Sequence, residues 1–288
     1  VVTLGGTITA TVAQLDPGGV ARLTIVAQVI ATAPAGARLP NAASVSWTSL
    51  PTSTGTIANP TGSPSPGASG TLTGERTGNL SVGPAGVNDY SAGANTAMSL
   101  SVPTLLKLAP TPLTYTLGDL IAYTIVVTLP EGVSQNVSVQ DALPAGLTLV
   151  SASVLTSGPP LAAPYVGTAA ATTSGTVVFA FGNITTTADN DPANNALIAQ
   201  VVARVANVPA NVNGAVLTNT ARLTYTHAVS GSTGISGGAQ AVALVEPFLS
   251  ISKAAQTART PVGAGDTVTY TLRLTNTGSS TAYDLNIT

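Results

Sequence analysis

Short segments in which apolar and polar residues alternate by two run through the chain, and turn residues separate them. The segments are rich in Val, Ile, Thr and Leu, and clusters of Gly, Pro, Asn and Asp interrupt them. This period of two is typical of β-strands, and no segment has a convincing 3.6-residue period. Many short strands without helices predict sandwiches. The clearest strands are predicted over residues 119–128, 136–141, 176–181, 196–206, 217–226 and 266–275.

The chain also repeats itself. The block GDLIAYTI at 118–125 recurs as GDTVTYTL at 265–272, an offset of 265 − 118 = 147 residues. A second block, LPNAA at 39–43, recurs as LTNTA at 217–221, an offset of 178. The first block opens a domain and the second closes one, which is the signature of a repeat architecture.

The order of these blocks predicts three parts. Residues 1–98 are the closing half of a first repeat, 99–246 a complete repeat, and 247–288 the opening half of a third. Half-sandwiches would expose strand edges and core surface. We therefore expect either a longer array of repeats or completion by neighbouring chains, so the predicted partners are neighbouring repeats or other copies of the chain.

Composition excludes several classes of function. Only 7% of the 288 residues are charged and the formal net charge is −2, so the basic face that nucleic-acid binding needs is missing. The absence of cysteine excludes disulfides and thiolate metal sites. No apolar run reaches the roughly 18 residues of a membrane span, and no direct membrane insertion is expected in this segment.

Two motifs resemble a known bacterial family. Lys253 followed by GDTVTYTLRLTNTG at 265–278 is similar to the opening of DUF11 repeats, and VSVQDALPAGL at 137–147 is similar to the motif that follows it. DUF11 repeats occur in large bacterial surface and secreted proteins and are similar to fimbrial domains that form intramolecular Lys-Asn isopeptide bonds. The resemblance implies tandem Ig-like Greek-key β-sandwich domains, all-β, extracellular and without catalytic turnover.

Lysine placement is the most unusual detail of the sequence. The chain contains two lysines, Lys107 and Lys253, at equivalent positions 146 residues apart. Residues two apart in a strand share a face, so Lys253 is predicted to lie with Leu249 and Ile251 on an apolar face. The strand of Lys107 has leucines on both faces, and alternation alone does not orient that lysine.

Four further polar residues fall on apolar strand faces. Asn219 shares a face with Leu217 and Ala221, and its counterpart Asn41 is predicted to point inward as well. Asp141 lies on the face of Val137 and Val139, and Asp119 on the face of Ile121 and Tyr123. Burial of such groups is costly unless they are paired or react.

These residues predict a crosslink between Lys107 and Asn219 that is promoted by Asp141, in line with the fimbrial resemblance. The amine would attack the amide carbon while the carboxyl group shuttles protons. In the alternative, Lys107 pairs with Asp119 or Asp141, and Asn219 bonds to backbone at a strand end.

Other features carry weaker predictions. The stretch 50–94 is interpreted as a spacer or lid-like segment, with ligand contact as the alternative. The acidic turn at 188–195 is interpreted as solvated rather than as a calcium site. His227 is the only histidine, which excludes a histidine cluster or triad within the segment. No cofactor or metal is expected, and the function predicted is structural, with a carbohydrate-binding adhesin module as the alternative.

Overall fold

The computed structural model describes residues 6–47, 91–155, 169–171, 175–191, 195–231 and 233–288. All regular elements in these ranges are β-strands, as the alternation of the sequence predicts. The chain divides into two compact units, one formed by Val1–Ala37 with Ser101–Thr288 and the other by Arg38–Leu100.

Fourteen strands are found in the described ranges. In chain order they are β1 (Arg38–Ser46), β2 (Ser91–Ser99), β3 (Thr104–Lys107), β4 (Thr114–Tyr115), β5 (Leu120–Thr128), β6 (Gly132–Ala142), β7 (Leu147–Val154), β8 (Ala169–Ala171), β9 (Thr176–Thr186), β10 (Ala196–Val205), β11 (Val216–Thr226), β12 (Thr233–Leu244), β13 (Leu249–Thr257) and β14 (Val268–Asn276).

Strands β3 to β12 form an Ig-like sandwich of two sheets. One sheet has the strand order β3-β5-β10-β7, and the other has the order β4-β12-β11-β6-β9-β8. Most neighbours are antiparallel, and β4 alone among the paired strands of these two sheets runs parallel to its partner, β12. From β3 to β8 each strand lies in the other sheet from the one before it, whereas β8–β9 and β11–β12 are neighbours within the six-stranded sheet. This connection places residues far apart in sequence on facing strands.

The inward faces of the two sheets form the core. Ile125 and Val201 from the first sheet pack in one cluster with Val139, Phe179 and Leu223 from the second, and each is at most 1% exposed. Their neighbours along each strand are more exposed, so the alternation of the sequence is the alternation of burial.

Two further hairpins flank the sandwich in sequence. In the unit Arg38–Leu100, β1 pairs with β2 from Arg38 opposite Ser99 to Ser46 opposite Ser91. In the other unit, β13 pairs with β14 from Leu249 opposite Asn276 to Thr257 opposite Val268. Each hairpin is a two-stranded sheet, and large side chains such as Met98 and Ile251 are exposed on them.

The internal repeat of the sequence is also a repeat of backbone conformation. Gly118 and Gly265, the matched glycines before β5 and β14, have φ angles of 88° and 89°. Asn136 and Asp284 match in the same way, with φ angles of 52° and 53°. Such left-handed conformations favour glycine, asparagine and aspartate, which explains the residue types at these turns.

Candidate functional site in the sandwich core

Lys107 is the last residue of β3, the edge strand of the four-stranded sheet. Its side chain is fully buried at 1% exposure, whereas its neighbours Leu106 and Leu108 are 59% and 41% exposed. Leu105 and Lys107 therefore occupy the inward face of this strand. The sequence left that orientation open because leucine stands on both sides, and packing against the second sheet decides it.

Asp141 reaches Lys107 from the opposite sheet. It lies on β6 at 0% exposure, and its Oδ2 accepts a hydrogen bond from the Lys107 Nζ. The two groups also form an ion pair with no solvent access to either side chain. A fully buried pair of this kind is uncommon because desolvation of both charges is costly.

Asn219 is the third buried polar residue of the site. It lies on β11 at 0% exposure, and neither its Oδ1 nor its Nδ2 has a hydrogen-bond partner among the described residues. In the β11–β6 register Ala221 is opposite Asp141, so Asn219 is a diagonal neighbour of Asp141 on the same face. An unpaired buried amide costs about 1–3 kcal/mol per lost partner, so this arrangement calls for a chemical reason.

Strand β12 connects Asn219 with Lys107. Gln240 is directly opposite Asn219 in the β11–β12 register, and its Nε2 donates a hydrogen bond of 2.8 Å to the backbone oxygen of Lys107. Gln240 was not among the predicted site residues because β12 was not among the predicted strands. The alternation in residues 233–244 was the signal that could have located it.

Burial changes the electrostatics of the lysine. Desolvation lowers the pKa of Lys107 from its ordinary value of 10.5, against the opposing effect of the Asp141 charge and hydrogen bond. The ring of Tyr123 lies beneath the amine, with its centroid 4.7 Å from Nζ. Burial also raises the pKa of Tyr123, so that its hydroxyl group stays protonated. The charged form of Lys107 is therefore less favoured in this site than it is in water.

Asp119 does not belong to this site, and the prediction that it points inward is wrong. It is exposed, and its Oδ2 accepts a hydrogen bond of 2.7 Å from the backbone N–H of Thr116. The strand begins at Leu120, so the alternation of β5 does not extend to Asp119. Its carboxylate instead closes the turn before the strand, and Asp266 does the same for Gly263.

Lys253 and Asn41 were also predicted to point inward, and both are exposed. In the part of the chain that the structure describes, no second sheet covers their hairpins. Lys253 still lies over an aromatic ring, with its Nζ 5.0 Å from the Tyr270 centroid, as Lys107 does over Tyr123. The hairpin β13–β14 therefore keeps the local geometry of the site without its burial.

The remaining sequence features give no second site among the residues that the structure describes. Residues 50–90 of the stretch 50–94 lie outside the described ranges, as do 192–194 of the acidic turn. Within the described part of that turn, Asp191 donates its backbone N–H to Asp189. No cluster of three or more metal-ligating side chains occurs among the described residues. Nor do those residues include a helix that is long and apolar enough to cross a membrane.

Comparison with known proteins gives structural similarities only. No family model and no curated protein sequence matches the chain, so the resemblance to DUF11 stays a prediction. Among solved structures, the chain is similar to a 35 kDa C-terminal fragment of the major pilin GBS80 of Streptococcus agalactiae, with 16% identity, a TM-score of 0.38, and coverage of 52% of this chain and 57% of that one.

Two other major pilins are similar at the same level. SpaD from Corynebacterium diphtheriae has 12% identity and a TM-score of 0.37, with 54% of this chain and 42% of that chain covered. BcpA of Bacillus cereus has 16% identity and a TM-score of 0.35, with 60% and 56% covered. The match spans less than two thirds of each of these three proteins, and similarity at this level establishes no function.

Proposed function

We propose that the chain is a structural repeat segment of a large extracellular bacterial surface or filament protein, and that its complete domain is crosslinked by an isopeptide bond between Lys107 and Asn219. The observation that carries the proposal is the buried set of a lysine, its carboxyl partner Asp141 and an asparagine without hydrogen-bond partners. A purely structural core would be expected to pair that amide.

The reaction needs only the groups that the site contains. Asp141 accepts a proton from the Lys107 ammonium group, and the neutral Nζ attacks Cγ of Asn219. The Nζ–Cγ bond forms, Asp141 gives its proton to Nδ2 and takes one of the two protons left on Nζ, and the Cγ–Nδ2 bond breaks so that the leaving nitrogen departs as ammonia. No oxidant or cofactor is required. One bond forms per molecule, so this is a maturation step and not turnover.

The lowered pKa of Lys107 supports the first step. A protonated amine has no free electron pair for attack, and burial disfavours that charged form. Asp141 holds the amine from the opposite sheet, and water is excluded because none of the three side chains is more than 1% exposed. A dry, preorganised site of this kind raises the effective concentration of the reacting groups.

A covalent bond of this type suits a surface role. The chain has no cysteine, so it has no disulfide with which to resist unfolding. The bond would join β3 of one sheet to β11 of the other and hold the sandwich closed under load. Its partners in such a protein are neighbouring repeats of the same chain or other copies of it.

Intact mass tests the proposal directly. The folded chain is expected to be lighter than its sequence mass by about 17 Da, the mass of ammonia lost in the condensation. Asp141→Ala should have the full sequence mass and still fold. Asp119→Ala is the matched control, since it removes an exposed carboxyl group and should leave the mass loss intact.

Peptide mapping completes the test. Digestion should release a branched peptide that joins the segment of Lys107 to that of Asn219. Folded wild-type protein at the full sequence mass would rule out the crosslink.

A further inference from the structure

Strand β12 contacts the free edge of β3 through three side-chain positions that alternate along it. Leu108 donates its backbone N–H to Thr124 of β5, so the carbonyl group of Lys107, on the other side of the same peptide, points away from β5. The backbone groups of Leu105 and Lys107 thus point to the free edge of the sheet, where no described strand pairs with β3.

Side chains of β12 bond to that edge in place of a backbone ladder. Ser236 Oγ accepts a hydrogen bond of 3.1 Å from the backbone N–H of Leu105, and Gln240 Nε2 donates one of 2.8 Å to the backbone oxygen of Lys107. Both of these bonds link residues of opposite sheets more than 130 positions apart. They fix the position of β3 along β12.

Gly238 lies between these two residues and faces the same edge. A Cβ placed on Gly238 would lie 3.2 Å from both the Cβ and the backbone N of Lys107. This distance is tighter than ordinary van der Waals contact, so the lysine backbone would have to shift by a few tenths of an ångström. Glycine therefore permits the close approach of the two strands at the reacting residue.

We propose that Ser236, Gly238 and Gln240 form a bracket that positions Lys107 for reaction with Asn219. The inference rests on the proposed crosslink. It adds residues that fix the backbone around Lys107 and take no part in the bond that forms. Gln240 is central because it is opposite Asn219 in the register and bonded to Lys107 at the same time. It is a positioning residue, since it acts through the backbone of Lys107.

The bracket predicts a change in the rate of the crosslink. Misplacement of a reacting group by about 1 Å can reduce a rate on the order of a hundredfold. We expect Gln240→Ala to slow bond formation by about tenfold or more. Gln240→Glu keeps the size of the side chain and, when ionised, loses the donor, so it should be slow as well. A role in packing alone would leave the Glu variant at the wild-type rate.

The 288-residue chain is made in a short pulse of cell-free synthesis. Its intact mass is then measured at successive times, and each spectrum gives the fraction of chains that has lost ammonia. Gln200→Ala is the matched control, because this glutamine lies on β10, where its register partners are Thr124 and Ser153 rather than residues of the bracket. Circular dichroism would verify that each variant folds. If Gln240→Ala does not fold, the crosslinking rates of the isosteric Gln240→Glu and of Gly238→Ala are compared with the wild-type rate instead, and both should be slower.

The outcomes separate the two proposals. Slow crosslinking in both Gln240 variants, with Gln200→Ala unchanged, supports the bracket. Wild-type rates in folded Gln240→Ala and Gln240→Glu overturn the bracket and leave the crosslink standing. A wild-type chain that never loses ammonia overturns the crosslink and the bracket together.

Discussion

Lys107 of β3 donates a hydrogen bond to Asp141 of β6, and the pair joins the two sheets across the dry interior of the sandwich. Neither side chain has access to solvent. The cost of burying two charges is offset only where the geometry of the pair is good and the other polar atoms of both groups are hydrogen-bonded. Asp141 Oδ1, however, has no hydrogen-bond partner among the described residues. The pair is therefore better suited to chemistry than to stability.

Removal of one member of this pair should cost more than removal of both. In an Asn219→Ala background, which cannot crosslink, Lys107→Met leaves the Asp141 carboxyl group buried alone. We expect a loss of about 3–5 kcal/mol in the free energy of unfolding. The double variant Lys107→Met, Asp141→Leu should recover most of that loss. Urea unfolding measures both, and equal stabilities for the single and double variants would contradict the coupling.

The crosslink itself should stabilise the complete domain. It would close a loop of 219 − 107 = 112 residues. By analogy with a disulfide, a loop of about 100 residues removes about 4–5 kcal/mol of unfolded-state entropy. Wild-type protein should therefore unfold at clearly higher temperature than Asn219→Ala, which cannot crosslink and keeps the buried pair of Lys107 and Asp141. Calorimetry checks this, and wild-type and variant midpoints that coincide would speak against a covalent constraint.

The pH dependence of stability should differ between the linked and unlinked chains. Without the crosslink, burial lowers the pKa of Lys107 in the folded state below 10.5, so the unfolded chain binds more protons in the interval between the two values. Stability should then rise with pH across that interval. In the wild-type protein the proposed crosslink would convert the amine to an amide, so this rise should be missing.

Urea titrations from about pH 7 to about pH 9 test the difference, a range in which tyrosine, with an ordinary pKa of about 10, stays mostly protonated. Asn219→Ala is the unlinked chain, and Lys107→Met in that background is the control that removes the titrating group. If stability still rises with pH in the variant without Lys107, another residue is responsible for the rise.

Core packing gives a prediction that is independent of the crosslink. Phe179 of β9 is 1% exposed, whereas Phe248, before β13, is 68% exposed. Phe179→Ala should destabilise the sandwich by about 3–5 kcal/mol because it leaves a cavity. Phe248→Ala should change the free energy of unfolding by about 0.5 kcal/mol or less. Chemical denaturation of the two Phe→Ala variants checks the assignment of the core. Similar losses in the free energy of unfolding would mean that the assignment is wrong.

The sequence by itself determined six of the strands, β5, β6, β9, β10, β11 and β14, and most of their faces. Alternation by two oriented Asn219 and Asp141 correctly, since a strand has only two faces and apolar neighbours mark the buried one. It failed at Asp119, where the strand had not yet begun, and at Lys253 and Asn41, whose apolar faces are covered by no second sheet in the described chain. The predicted division at residues 98 and 246 stays a prediction.

Only the tertiary structure decided which polar groups meet. Lys107 and Asp141 are 34 residues apart and lie in different sheets, and Gln240 bonds to the backbone oxygen of Lys107 from 133 residues away. Alternation is a local property of each strand and carries no information about strand order or register between distant segments. These are fixed when the two sheets pack and bury their shared face, because that packing sets which strands face one another.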